Sequence, residues 1–330
     1  MNLSMDQNSP EVIAALLAIR MASRLCQKVR KELAEGGVIQ KSDRSPVTIA
    51  DYGSQAIICK AIKETFPQDT IVAEENSTEL RKPEHSNILR QVTHYVRDFF
   101  PGVSSDEVCS WIDLGSHSIQ NRFWTLDPID GTKGFLRGDQ YAIALALIEK
   151  GSVQLGLMAC PNLYMDKDRP DGKRGCLFFA LRGRGSYQME IEGEGRQTLS
   201  VSRVDDPAKA SFTESFEPDH ADHFIHQKIS KKLKMTRPPV KMDSQAKYGM
   251  VARGEVTFYL RVPSSSEPGY KEKVWDHASG VIIAEEAGGR VTDLYGRPLD
   301  FSCGIQLERN HGILASNGIL HDTVLKALEM

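Results

Sequence analysis

The stretch Trp124-Thr125-Leu126-Asp127-Pro128-Ile129-Asp130-Gly131-Thr132-Lys133-Gly134-Phe135 constrains this chain more than any other. Residues 123–126 read as an apolar strand that stops at an acid. Pro128 fixes its own φ and removes one backbone donor. Two carboxylates, Asp127 and Asp130, fall three residues apart in a tight turn, and Gly131 and Gly134 let the backbone approach a ligand closely. The first amides of a following turn or helix would point at whatever the acids hold, which suits an anion. Acid oxygens beside such a backbone suit a hard cation together with phosphate. Asp-x-x-Asp-Gly is equally an ordinary acidic surface turn, so the rest of the chain must decide.

Around this stretch the pattern is helices on a largely antiparallel sheet. Ser9-Pro10-Glu11 opens a helix with Val12, Leu16, Ile19, Leu25 and Val29 on one face, closed by Gly36-Gly37. After a polar link at 41–46, Thr48-Ile49-Ala50-Asp51 opens a second helix that runs to Phe66-Pro67. A short strand at 70–73 ends in Glu74-Glu75, 79–100 reads mostly as an amphipathic helix, and 101–121 as a polar, irregular excursion. Strands follow at 141–148 and 153–159, then at 176–180 and 187–190, each pair forming a hairpin. From Asp205-Asp206-Pro207 the rhythm becomes strand–helix alternation: strands at 210–216, 240–242, 256–262 and 312–315, helices at 221–233, 244–252, 275–287 and 319–328. The expected organisation is an α+β portion over 1–204 and a smaller α/β domain over 205–330.

Size and composition narrow the function. A chain of 330 residues can bury one large core or two ordinary ones. A net charge of −3 offers no nucleic-acid surface. Six cysteines without a Cys-x-x-Cys pair read as reduced thiols, not a disulfide frame or a zinc site. No apolar run reaches membrane-spanning length, and the first residues, with Asp6 and Glu11, resemble no targeting segment. The expectation is a cytoplasmic protein, with a longer organellar form left open, working without nucleic acid or membrane as a monomer or weak homodimer.

Several acids have two readings. Thr48 to Asp51 fits a capping box, yet Asp51 could instead aim at a catalytic water. Glu74-Glu75 is a solvated loop or a ligand pair, and Asp276 is a helix cap or a ligand. Asp51, Glu74, Asp127, Asp130 and Asp276 all lie at helix starts or strand ends, where acids can converge on a cleft. Two hard cations roughly 4 Å apart need about this many carboxylates plus a carbonyl, which Ile129 can offer. Arg182-Gly183-Arg184-Gly185 matches no phosphate-binding fingerprint and reads as a turn. Lys231-Lys232-Leu233-Lys234 reads as a solvated face. His220 lies in a polar cluster with His223 and His226, Lys247 reads as a solvated helix residue, and Arg261 within a strand suits phosphate as a fork.

Asp-Pro-Ile-Asp-Gly-Thr at 127–132, Glu74-Glu75 at a strand end, and Trp275-Asp276-His277-Ala278 followed by Glu286-Ala287-Gly288-Gly289 resemble the lithium-sensitive, Mg²⁺-dependent phosphatase superfamily, which includes inositol monophosphatase and fructose-1,6-bisphosphatase. Lys41-Ser42-Asp43, residues 134–141, Glu214-Ser215-Phe216-Glu217 with His220 and His223, and Asp243-Ser244-Gln245-Ala246-Lys247-Tyr248 narrow the resemblance to its 3′(2′),5′-bisphosphate nucleotidases, the plant and algal branch in particular.

The resemblance implies a layered α-β-α-β-α, sugar-phosphatase-like fold with the active cleft between its domains. It implies two or three Mg²⁺ ions. Glu74, Asp127 and the Ile129 carbonyl would hold one, and Asp127, Asp130 and Asp276 a second. Glu74 would also help with a weaker third. Asp51 with Thr132 would activate water. Thr132, His220, Ser244, Lys247, Arg261 and Asp276 would bind substrate. That substrate would be adenosine 3′,5′-bisphosphate (PAP) or its sulfated form (PAPS) from sulfate assimilation, with inhibition by Li⁺ and Na⁺. Inositol polyphosphate 1-phosphatase activity and a catalytically silent PAP sensor are the alternatives.

Overall fold

A computed structural model describes residues 6, 8–32, 38–40, 46–116, 118–166, 172–216, 223–263 and 269–329. In chain order its first half contains α1 (Pro10–Glu32), β1 (Val38–Gln40), β2 (Pro46–Thr48), α2 (Ile49–Thr65), β3 (Thr70–Ala73), α3 (Ser86–Val96), α4 (Ser105–Asp113), β4 (Arg122–Asp130), α5 (Thr132–Arg137), β5 (Ala142–Glu149) and β6 (Ser152–Tyr164). The second half adds β7 (Arg174–Leu181), β8 (Gly185–Glu190), β9 (Arg196–Thr198), β10 (Phe212–Glu214), α6 (His223–Lys232), β11 (Val240–Lys241), α7 (Ala246–Ala252), β12 (Phe258–Arg261), α8 (Ala278–Glu286), β13 (Arg290–Thr292), β14 (Ile313–Ser316) and α9 (His321–Leu328).

Strands β3 to β9 lie in sequence order in a seven-stranded sheet, antiparallel except for β3 beside β4. A five-stranded sheet takes the order β11-β10-β12-β14-β13. Alternate residues of a strand face opposite sides, and here both sides are apolar. Trp124, Leu126, Leu145 and Leu157 pack under Ile19, Leu25, Ile57 and Ile58 of α1 and α2. Phe123, Ala146, Met158 and Phe178 face the other way, onto Tyr248 and Val251 of α7 and Ile282 of α8. The same central core takes in Tyr259, Ile313 and Ala315 of the smaller sheet. On that sheet's outer side Phe258, Leu260 and Leu314 pack with Ile229 of α6 and Val324 of α9. The layers are therefore α-β-α-β-α. Helix α8 lies so close to β6 that a Cβ at Gly156 would stand 2.4 Å from Ile282 Cγ2, closer than any side chain tolerates.

Several local expectations change. The segment after Pro101 is not irregular throughout: Ser104 and Glu107 form a capping box that starts α4, and Val108, Cys109 and Ile112 bury its inner face. The helix expected over 79–100 begins only at Ser86, after a 3-10 turn at Pro83–His85. Helix α8 begins at Ala278, not at Trp275. Short strands β1, β9 and β13 carried no pattern long enough to read. Gly36-Gly37 and residues 41–45 lie outside the described residues. Cys26, Cys59, Cys109, Cys160, Cys176 and Cys303 are all free thiols, as expected.

Candidate active site

The central strand does not stop at Asp127. It continues to Asp130 through a bulge: Asp127 pairs with Ala144 and Asp130 with Ala142, so three steps on β4 match two on β5. In a regular strand, residues three apart point to opposite faces. Pro128 and Ile129 supply the extra residue, at a position where the missing proline donor is tolerated. Both carboxylates therefore face the layer between the two sheets. Gly131 then takes φ 85°, and a Cβ there would approach Ser244 Cβ to 3.3 Å.

Asp51 forms the cap with one carboxylate oxygen and turns the other to Thr132. Thr48 donates to Oδ2 from its amide (2.8 Å) and its hydroxyl (2.5 Å), completing the capping box of α2. Oδ1 faces Thr132, whose hydroxyl lies 3.4 Å away and also 3.2 Å from the Ile129 carbonyl. Asp51 is fully buried.

Glu74 follows β3, its amide donating to the Leu126 carbonyl (3.2 Å). Gln55 braces this corner from α2. Its side chain accepts from the Glu75 amide (3.0 Å) and donates to the carbonyls of Glu75 (2.5 Å) and Ile112 (2.9 Å). Asp276 lies two residues before α8, whose N-cap is His277, so the cap reading of Asp276 is overturned.

The opposite wall comes from residues 243–247 and β12. Ser244 is a non-glycine residue at φ 67°, a conformation maintained only where its surroundings enforce it. The next amide, of Gln245, thereby reaches Asp130 Oδ2 at 2.5 Å. Lys247 is not the solvated residue its helix suggested. It is buried, with Nζ 3.0 Å from Ser215 Oγ, and burial brings its pKa down to about 8 although Asp130 lies within electrostatic reach. Arg261 Nε donates to Glu272 Oε1 (2.8 Å). Glu272 Oε2 meets His277 Nε2 (3.0 Å), and His277 Nδ1 meets the Tyr248 hydroxyl (2.8 Å). His220 lies outside the described residues.

Charge distribution separates these groups. Burial pushes the Asp127 carboxyl well above its ordinary range, and Glu74, Asp130 and Asp276 add to the effect. Asp276 and Asp130 are raised as well, again first by burial, with Arg261 and Lys247 respectively opposing. Asp127 Oδ1 is buried with no hydrogen-bond partner among the described residues. Buried carboxylates without compensating donors are costly, and a hard divalent cation with oxygen ligands resolves that cost. The residues present fit such an ion. Glu272, Asp276 and His277 also bring potential ligand atoms within 4.8 Å of one another. There, however, both His277 nitrogens and both Glu272 oxygens are already engaged, which leaves only Asp276 for a metal.

Sequence reasoning missed Gln55 and Glu272, and it quoted Gln245 and Tyr248 without giving them a role. Glu272 stands between two lysines and reads as surface charge, whereas it is 4% exposed. Glu286 was noticed only as part of a motif. It accepts the amides of Gly183 (2.9 Å) and Gly185 (3.0 Å), so the glycine-rich turn docks on α8. No helix among the described residues is long and apolar enough to cross a membrane.

The model of the inositol monophosphatase family matches residues 8–330. A 3′(2′),5′-bisphosphate nucleotidase of Oryza sativa is 44% identical, covering 97% of this chain and 93% of its own. 3′(2′),5′-Bisphosphate nucleotidase 1 of Arabidopsis thaliana is 45% identical, over 96% and 95%. The corresponding protein of Dictyostelium discoideum is 41% identical, over 96% and 95%. Among solved structures, an IMPase of Thermotoga maritima shares the fold with a TM-score of 0.65 at 23% identity, covering 97% of each chain. The extragenic suppressor protein SuhB of Bartonella henselae gives 0.66 at 19%, over 97% and 99%.

Proposed function

The chain belongs to the inositol monophosphatase family, and on that premise we propose that it is a 3′(2′),5′-bisphosphate nucleotidase, removing the 3′-phosphate of PAP to leave AMP and inorganic phosphate. The observation that carries the reading is the unpartnered Asp127 Oδ1 inside a ring of acids, with the Asp51–Thr132 pair beside it. The names of the rice, Arabidopsis and Dictyostelium relatives support the choice of substrate.

Glu74, Asp127 and the Ile129 carbonyl would hold one Mg²⁺, and Asp127, Asp130 and Asp276 a second, with Glu74 contributing to a weaker third. When bound, such ions offset charge on the phosphoryl oxygens and acidify water. The chain's own residues do the rest. Asp51 Oδ2 is held by Thr48, which fixes the carboxylate and presents Oδ1 to Thr132. Water gives its proton to Thr132 Oγ1 as the hydroxyl proton passes to Asp51 Oδ1. The water oxygen bonds to phosphorus, the bond from phosphorus to O3′ breaks, and O3′ leaves with a proton from solvent. Ser244, Lys247, Arg261 and His220 would bind the nucleotide, and Asp276 would touch it at the metal site. The same chemistry would convert PAPS to adenosine 5′-phosphosulfate. A monovalent Li⁺ or Na⁺ in a divalent site would inhibit it. This reading divides the chain at 204/205, with catalytic acids mainly before the boundary and nucleotide-binding residues after it.

The test is phosphate release with Mg²⁺ from PAP, inositol 1,4-bisphosphate and fructose 1,6-bisphosphate, with and without Li⁺. The expected outcome is Li⁺-sensitive release from PAP, with turnover falling roughly 10²–10⁴-fold in Asp51→Asn while cation binding is retained. Release mainly from the inositol compound would overturn the nucleotide assignment. Ligand binding without release from any of them would make the chain a sensor.

A further inference from the structure

Arg261 lies where two groups of acids compete for it. It is within electrostatic reach of Asp130 and Asp276, on the metal side of the site. It is nonetheless paired with Glu272, on the other side, by a 2.8 Å ion pair between two buried or nearly buried side chains. The carboxylates of Glu272 and Asp276 themselves come within 4.8 Å of each other, so a rotation of the guanidinium would exchange one partner for the other. A guanidinium on Asp276 would occupy the oxygen that a cation needs.

Two contacts besides the ion pair hold Glu272 in place to prevent this. Its second oxygen meets His277 Nε2 at 3.0 Å, and His277 is fixed in turn by the Tyr248 hydroxyl at 2.8 Å on Nδ1. Its main-chain carbonyl accepts the Leu307 amide at 2.8 Å. With Tyr248 on α7 and His277 at the N-cap of α8, the carboxylate is tied to both helices of the central layer. Tyr270 lies 3.4 Å from an outer nitrogen of Arg261 and restrains it from a third direction.

We infer that Glu272 is a positioning residue that retains Arg261 and so keeps Asp276 available to a divalent cation. The inference rests on the assignment of Asp276 as a cation ligand made above. It adds that a residue which touches neither cation nor substrate sets the affinity of that site. Without Glu272, Arg261 turns to Asp276, an acid already within its electrostatic reach, since an unpaired buried charge is strongly unfavourable.

The experiment is titration of the full-length protein with Mn²⁺, followed by calorimetry and by the electron paramagnetic resonance of free Mn²⁺. Neither readout requires turnover. Glu272→Gln should weaken binding about tenfold at one site, the one that includes Asp276. Arg261→Gln should bind Mn²⁺ at least as tightly as wild type. The double variant Glu272→Gln/Arg261→Gln should return to within about twofold of wild type, because no guanidinium remains to occupy Asp276. Unchanged affinity in Glu272→Gln would overturn the inference, and so would a double variant as weak as Glu272→Gln, which is the result of a merely structural role. If Glu272→Gln does not fold, Glu272→Asp, whose shorter side chain loosens the hold on Arg261, takes its place in the same comparison with its own Arg261→Gln double variant. A wild type that binds Mn²⁺ but releases no phosphate from PAP would refute the proposed function and leave this result interpretable.

Discussion

Two groups of buried ionisable residues lie side by side between the sheets, and they are built on opposite principles. The Tyr248–His277–Glu272–Arg261 chain pairs every charge with a donor or acceptor at 2.8–3.0 Å. Burial alone would raise the Glu272 carboxyl, but Arg261 and His277 outweigh it and hold it at about 2. A few ångströms away, Asp127, Asp130 and Asp276 face one another and Glu74, and burial drives all three Asp carboxyls upward. The two groups share a layer, yet one is complete and the other, with Glu74, Asp130 and Asp276 half-buried, is not. Completed networks fix geometry, whereas incomplete ones await a ligand.

The largest effect should come from removing the least satisfied member. Asp127→Asn should reduce turnover roughly 10³-fold while raising unfolding free energy in EDTA by roughly 1–2 kcal/mol. Denaturant melts beside single-turnover assays measure both. A destabilised variant would mean that Asp127 contributes to the fold in the way Glu272 does, and the contrast would fail.

The pH dependence of stability should distinguish the groups next. Asp127, Asp130 and Asp276 bind their protons more tightly folded than unfolded, where the value is near 3.8. Between that value and the raised folded ones the folded state carries more protons. Cation-free stability should therefore fall as pH rises through this window, by roughly 1.4 kcal/mol per pH unit for each proton involved. Mg²⁺ should abolish the slope. Glu272 acts with the opposite sign. Its contribution is present above the unfolded value of 4.5 and is lost as pH falls toward 2. Melting curves from pH 4 to 8 with EDTA or Mg²⁺ test the first trend, and a flat EDTA series would contradict it.

The smallest effect belongs outside both groups. Ser104→Ala should cost about 1 kcal/mol of stability through the cap of α4 and leave kcat and KM for PAP unchanged. A change in kinetics would show that α4, whose Ile112 carbonyl accepts from Gln55 (2.9 Å), transmits to the Glu74 corner.

The sequence made these two groups unequally legible. The incomplete group announced itself because residues 127–131 carry Asp127, Pro128, Asp130 and Gly131 in one run, Asp51 lies at a helix start and Asp276 just ahead of one. Even so, Asp51 appeared to be either a cap or a base, because a linear pattern cannot show that its two oxygens have separate partners. The complete group was hidden. Glu272 reaches Arg261 across eleven positions, and its flanking lysines imitate a solvent-exposed segment. The rhythm of strands and helices gave an α+β portion followed by an α/β portion, and the layering followed from the family resemblance. Helix α4 did not, although Ser104 and Glu107 signalled its start, because only one buried turn follows.

The bulge at Pro128 and Ile129 makes the site a matter of parity. An odd number of steps separates the two aspartates, and the irregularity converts it to even by counting two residues as one. Pairing β4 in unbroken register with all its residues kept would turn Asp130 to the face that carries α1 and α2 and part the two acids. Deleting Ile129 would instead leave the aspartates two apart on one face and remove only the carbonyl between them. The clustering of these acids is thus encoded as an irregularity in the lattice of the sheet, and a register that straightens the strand without shortening it undoes the clustering.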